Sequence, residues 1–337
     1  MLSSQPEAPG KTAQPLRPID FVKKVGKGKT LSLPLTFSES QNAFQLLLDG
    51  AFTNAQAGAF LQALRIQELS QEELNGLAQV FQSRSGGQRA LTGVQTLVLN
   101  LASDTQRKGG LVSLLAAKIL SEFGIEVGIL KSSPVLSKNE KSFNATWKLS
   151  EHLPGKEPAV LNSNELISGL MQLDLLRSEL GFRSCLHTAE KLINPWPLSP
   201  VLLGISHKHY ALRMAQTMQA LGLTGKIILG NHGTVDLVLH KATEIIAIDQ
   251  NGIHEETISP KEFGLEISAD IYSLNKFSEW EHWLQASHSE KRVQDNDLIK
   301  AVQYQGAFFL WSAGVAQNTK DGLAIMANTL PKLFKST

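Results

Sequence analysis

Residues 97–120, LVLNLASDTQRKGGLVSLLAAKIL, decide the fold, because they read as a strand, a polar loop and a helix in immediate succession. Residues 96–101 form a short apolar run bounded by polar neighbours, which suits a buried strand of a parallel sheet. Residues 111–120 are rich in helix formers. The loop between them is SDTQRKGG. A loop that leaves a parallel strand and enters a helix aims backbone N–H groups and the positive end of the helix dipole at one spot, and that spot favours anions. Arg107 and Lys108 stand there beside Gly109 and Gly110, so a phosphate-bearing partner is the natural expectation. A solvated loop carrying two surface cations is the plainer alternative.

At 337 residues the chain exceeds the size at which single cores stop growing, so two domains are expected. Hydrophobic residues make up 42% and charged residues 19%, which excludes wholesale disorder. The formal net charge is +1, so any polyanion must be drawn by a local patch. The single cysteine, Cys185, excludes an internal disulfide and fits a reducing cytoplasm. No apolar run approaches the ~20 residues of a membrane span, and the N-terminus lacks the apolar region of a secretory signal. A soluble, cytoplasmic protein without a membrane partner is expected. Residues 1–18, with four prolines, read as a tail.

Residues 19–86 read as a small helical unit. Ser38 is the expected cap of a helix ending at Gly50, and Ser70 with Glu73 forms a capping box. Beyond a hinge at Gly86, Gly87 and Gln88 the pattern changes to alternating strands and helices, TLVLNL, IEVGIL, PVLLGIS and KIILGN among the strands. VDLVLHKATEIIAID reads as two strands around a turn, and helices close the chain at 295–316 and 319–330. The expected division is 19–86 helical, joined by helices from about 163–186, with 87–162 and 187–337 forming the α/β domain. The fold class is therefore α/β: a small all-helical domain plus a larger domain with a mainly parallel central sheet.

Three segments, in order, resemble the anthranilate phosphoribosyltransferase family: AGAFLQALRIQELSQEEL, RSELGFRSCLHTAEKLINP and the long GNHGTVDLVLHKATEIIAIDQNGIHEETISPKEFGLE. The resemblance implies a phosphoribosyltransferase, nucleoside phosphorylase-like architecture. It also implies a glycine-rich diphosphate loop where this chain has Asn100, Leu101, Ala102, Ser103 and Asp104. All three glycines of that loop are gone, and a leucine side chain obstructs close backbone approach to a phosphate. The family's next motif, KHGN, is matched only by Leu130, Lys131, Ser132 and Ser133. Its magnesium-holding acid pair is reduced to Asp236 followed by Leu237. Arg183, matching the family's contact to the aromatic acid substrate, is kept, while His187 replaces a nearby asparagine. The chain is similar to a divergent branch of the family, typified by YbiB, which keeps the fold, lacks the diphosphate loop and has basic residues in its place. That likeness implies sequence-independent nucleic-acid binding by a homodimer paired through its helical domain, with parent catalysis lost and no cofactor.

Between residues 84 and 148 nine Lys or Arg stand against four acids, in a chain whose total is only +1. Such concentration suits a binder of phosphate backbones, single-stranded DNA or RNA. The candidate contacts are Arg107, Lys108, Lys131, Lys138, Arg183 and Lys191, with Asn100, Ser103, Asp104 and Asp236 as relics of the phosphate and metal site. Phe143 and Trp147 are candidates for base stacking, though large aromatics are more often core. Lys23, Lys24, Lys27 and Lys29 read as a solvated helix face, and His207 and His209, flanking Lys208, as a surface loop lacking a third metal ligand. The alternative function is a magnesium-dependent glycosyl or phosphoribosyl transferase with an altered substrate, using Asp104 and Asp236 for the metal and Arg183 for an acidic acceptor.

Overall fold

The structure is a computed structural model that describes residues 16–28, 30–86, 91, 93–102, 112–132, 140–196, 198–272, 279–280 and 297–333. Four helices open the described chain: α1 (Pro18–Val25), α2 (Phe37–Leu48), α3 (Asn54–Gln67) and α4 (Gln71–Arg84). Reciprocal capping boxes start three of them, at Thr36 with Glu39, Thr53 with Gln56, and Ser70 with Glu73. The α2 cap is thus Thr36, not the expected Ser38, because Thr36 holds the extended backbone that lets its hydroxyl meet the Glu39 N–H. Pro18 opens α1, so the last residue assigned to the tail is already helical.

The chain then runs β1 (Gln95–Asn100), α5 (Val112–Leu120), β2 (Ile125–Lys131), α6 (Glu140–Ser150), β3 (Ala159–Asn162), α7 (Ser163–Leu166), α8 (Leu170–Leu180), α9 (Leu186–Glu190), β4 (Val201–Gly204), α10 (Lys208–Ala220) and β5 (Gly225–Ile228). A hairpin of β6 (Thr243–Asp249) and β7 (Gly252–Ile258) follows, and α11 (Asp297–Ser312) and α12 (Thr319–Leu333) complete it. Among the described residues seven strands form one sheet in the order β3-β2-β1-β4-β5-β6-β7, parallel through β5 and antiparallel at β6 and β7.

Strand alternation feeds two cores. Leu97, Leu99 and Leu202 face a layer of α5 and α11. Val98, Val201 and Leu203 face α10 and the inner side of α4. A third core joins α1 to α4 with Leu166, Leu170, Leu173 and Leu176. Helix α4 serves two of these cores, giving Leu77, Val80 and Phe81 to the helical one and Leu74 and Ala78 to the sheet one. Polar seams reinforce it: Gln82 exchanges two hydrogen bonds with the backbone of Asn194, and Gln71 donates to Thr217 and to the Arg213 carbonyl.

The expected strand at 235–240 is absent. Val235, Leu237 and Leu239 are buried as predicted, but the N–H of Leu237 is taken by the Gln305 side chain and that of Val238 by Thr243 Oγ1, so side chains replace a ladder. Among the described residues no helix is long and apolar enough to cross a membrane.

Candidate functional site

The strand order reverses between β1 and β4, so chain connections leave this pair in opposite directions. The crevice beyond the carboxyl ends of such a pair is where open α/β sheets bind ligands. Asn100 ends β1, Lys131 ends β2 and Gly204 ends β4, with Asn100 in register with both Leu130 and Leu203.

Here Asn100 and Asp236, two described residues at positions matching the family's reaction centre, hold structure. Asn100 is 2% exposed; its amide donates to the carbonyls of Glu190 and Ile193, and its oxygen accepts from the Ala102 N–H. Asp236 is 1% exposed, and its Oδ1 accepts from the Ser113 N–H at 2.7 Å, capping the start of α5. With that oxygen committed to the helix and buried Leu237 standing beside it where the resemblance calls for a second acid, the acid pair that would hold magnesium is incomplete. Lys191 sends its ammonium to the carbonyls of Gly204 and Gly233. It thereby ties the loop after β4 to the 230–236 loop, which approach so closely that a Cβ on Gly204 would lie 2.1 Å from the Thr234 backbone. Lys131 lies with its Nζ 4.0 Å from the centroid of Phe143.

Below the crevice runs a buried ionic network. Arg177 donates to Asp174 at 2.9 Å and to Glu190 at 3.0 Å, and Glu190 also accepts from Ser163 Oγ. The Arg177 Nη2 meets His187 Nδ1 at 2.7 Å. A guanidinium has no acceptor, so Nδ1 accepts and the ring proton belongs on Nε2. Burial, and then the positive charges of Arg177, Lys191 and Arg183, hold this imidazole well below the usual histidine range, so it is neutral. Burial likewise pushes the Cys185 thiol up to about 12, which keeps it protonated at neutral pH.

Above the network, α3 and the α3–α4 turn face residues 183–188 and the start of α10 across a cavity of about 480 Å³. Arg65, Arg183 and Arg213 line it, with His207, His209 and Tyr210, and Glu68 is the one acidic residue among its lining residues. Arg65 donates to the Arg183 carbonyl at 2.8 Å and lies 5.3 Å from the centroid of Phe182, which fixes the Arg65 guanidinium beside the Arg183 backbone. Of the sequence-predicted contacts, Arg183 enters this cavity; Lys131 and Lys191 do not line it. Arg107, Lys108, Lys138, Ser103 and Asp104 lie outside the described residues.

Phe143, a stacking candidate, is 7% exposed and packs face to face with Trp147 at 5.6 Å, as core residues do. Sequence reasoning did not find Arg65 or Arg213 and set His207 and His209 aside. Arg65 and Arg183 are 118 positions apart, and only the fold brings them together. Among the described residues no group of three or more His, Cys, Asp or Glu is placed to hold a metal.

Residues 19–85 match the helical bundle domain of a glycosyl transferase family, and residues 148–332 match its a/b domain. An uncharacterised protein of Aquifex aeolicus (strain VF5) is 24% identical over 307 residues, covering 89% of this chain and 95% of the relative. Anthranilate phosphoribosyltransferase of Desulfitobacterium hafniense (strain DSM 10664 / DCB-2) is 27% identical over 315 residues, 88% of this chain and 89% of the relative. The solved anthranilate phosphoribosyltransferase of Saccharomyces cerevisiae in complex with PRPP and Mg superimposes with a TM-score of 0.73 at 16% identity, covering 95% of this chain and 94% of that one. Bundle, sheet and sequence agree: the chain belongs to the glycosyl transferase family that joins a helical bundle domain to an a/b domain, and its fold is that of anthranilate phosphoribosyltransferase.

Proposed function

We propose that the chain binds nucleic acid without sequence preference, favouring single strands, and that the transfer reaction of its relatives is lost. The cavity lined by Arg65, Arg183 and Arg213 against the single acid Glu68 carries this proposal. Guanidiniums stay charged at every physiological pH and present flat donor arrays to phosphate oxygens. The burial of Asn100 and Asp236 in structural hydrogen bonds supports the loss of the parent chemistry. Arg107, Lys108, Lys131 and Lys138 join the proposed contact set on the charge concentration of residues 84–148, while Lys191 supports the loops beneath. The protein acts in the cytoplasm as a homodimer, without a cofactor. The proposed dimer contact draws on the exposed apolar residues of the helical domain, Ile66 of α3 and Met171 and Leu175 of α8, which are 63%, 48% and 52% exposed.

Fluorescence anisotropy with labelled single-stranded oligonucleotides across a salt series tests this. Affinity falls steeply with salt, with a logarithmic slope of about 0.7 in magnitude per phosphate contacted, alike for unrelated sequences. Binding indifferent to salt, or none at micromolar protein, overturns it.

A second reading, a glycosyl or phosphoribosyl transferase with a changed substrate, is favoured by Arg183, which lines the cavity at the position matching an acidic-substrate contact. Calorimetry with phosphoribosyl pyrophosphate and magnesium decides: saturable heat that depends on the metal and is weakened by Arg183→Ala supports the transferase, and no heat overturns it.

A further inference from the structure

We infer that His207, His209 and Tyr210 form a stacking platform for unpaired bases, so that the cleft takes a nucleobase as well as its phosphate. This rests on the nucleic-acid function proposed above and names the part of the site that reads a single strand as single. Three aromatic rings gather at the start of α10. His209 and Tyr210 lie 4.1 Å apart between centroids, tilted by 43°, and His207 lies 5.7 Å from His209. His207 and His209 are exposed and Tyr210 is half-buried. The contrast with other ring pairs is sharp: Phe44 with Phe60 and Phe308 with Phe309 are fully buried and hold cores.

All three rings line the cavity that also holds Arg65, Arg183 and Arg213. At about 480 Å³ it falls within the range of pockets that enclose small organic groups. Every base has a π face, so rings beside cations hold a strand whatever its sequence, and guanidiniums themselves stack on bases. The neighbouring Lys208 is paired with Glu244, outside the cavity lining, so rings and arginines, not that lysine, face the ligand.

The test compares oligothymidylate with an abasic deoxyribose-phosphate oligomer of equal length, using the full chain. The two carry the same charge, and only one can stack. Wild type is expected to bind oligothymidylate at least about fivefold more tightly. The double variant His207→Ala and His209→Ala, both at exposed positions, is expected to lose most of that preference while keeping its affinity for the abasic oligomer and its salt slope. Its melting curve checks the fold. Tyr210→Leu, which keeps an apolar contact beneath, is expected to reduce the preference as well. Equal wild-type affinity for the two oligomers, or a histidine variant that weakens both alike, overturns the platform and leaves the phosphate cleft standing. Failure to bind either oligomer overturns both proposals.

Discussion

Asp236 and Ser113 are 123 positions apart, yet the carboxylate of one accepts from the N–H of the other in the first turn of α5, at 2.7 Å. A buried acceptor serving a helix N-terminus is worth ~1–2 kcal/mol. Asp236→Ala is therefore expected to lower the thermal midpoint, and Asp236→Asn, which keeps an acceptor oxygen, to lower it less. Oligonucleotide affinity at a temperature where both variants are folded stays at the wild-type value.

The network around Arg177 gives stability a pH dependence. An unfolded histidine gains its proton near 6.5, whereas the folded His187 stays neutral well below that. The unfolded chain therefore binds more protons as pH falls below about 6.5, and stability falls with it, by up to ~1.4 kcal/mol per pH unit for this group. Urea denaturation between pH 5 and 7 measures the slope, and His187→Asn flattens it. At neutral pH Arg177→Met strands buried Asp174 and Glu190 without their cation, at a cost of ~3–5 kcal/mol.

Replacing cleft arginines tests the phosphate contacts one at a time. Arg65→Ala and Arg213→Ala are each expected to weaken binding uniformly across sequences and to reduce the salt slope by about 0.7. Arg107→Ala with Lys108→Ala is expected to act in the same direction, with a reduction of about twice that size.

The proposed dimer gives exposed Ile66, Met171 and Leu175 of the helical domain a measurable role. Sedimentation of wild type is expected to give a dimer, and Leu175→Asp or Ile66→Asp a monomer, since a charge in an apolar contact is costly to bury.

The sheet was legible because its strands are short apolar runs between polar punctuation, and IEVGIL became a strand at the residues expected. The Ser70 and Glu73 capping box was legible for the same local reason. The 235–240 segment misled because burial alone does not distinguish a strand from a coil whose N–H groups are met by side chains such as Gln305. The cleft was illegible because its arginines come from α3, the segment after α8, and α10, and sequence distance conceals convergence. The loop between strand and helix pointed to Arg107 and Lys108, and the charge of residues 84–148 supported them; Arg65 and Arg213 stand alone in sequence and carry no such signal.

Helix α4 buries Phe81 in one core and Ala78 in another, only three positions away. Loosening either core removes the wall of its neighbour, and the Gln82 and Gln71 hydrogen bonds are lost with it. The two domains read from sequence are therefore expected to unfold as one cooperative unit. Calorimetry of the dilute protein is expected to show a single endotherm whose van't Hoff and calorimetric enthalpies agree, and Leu74→Ala to lower it as a whole without splitting it.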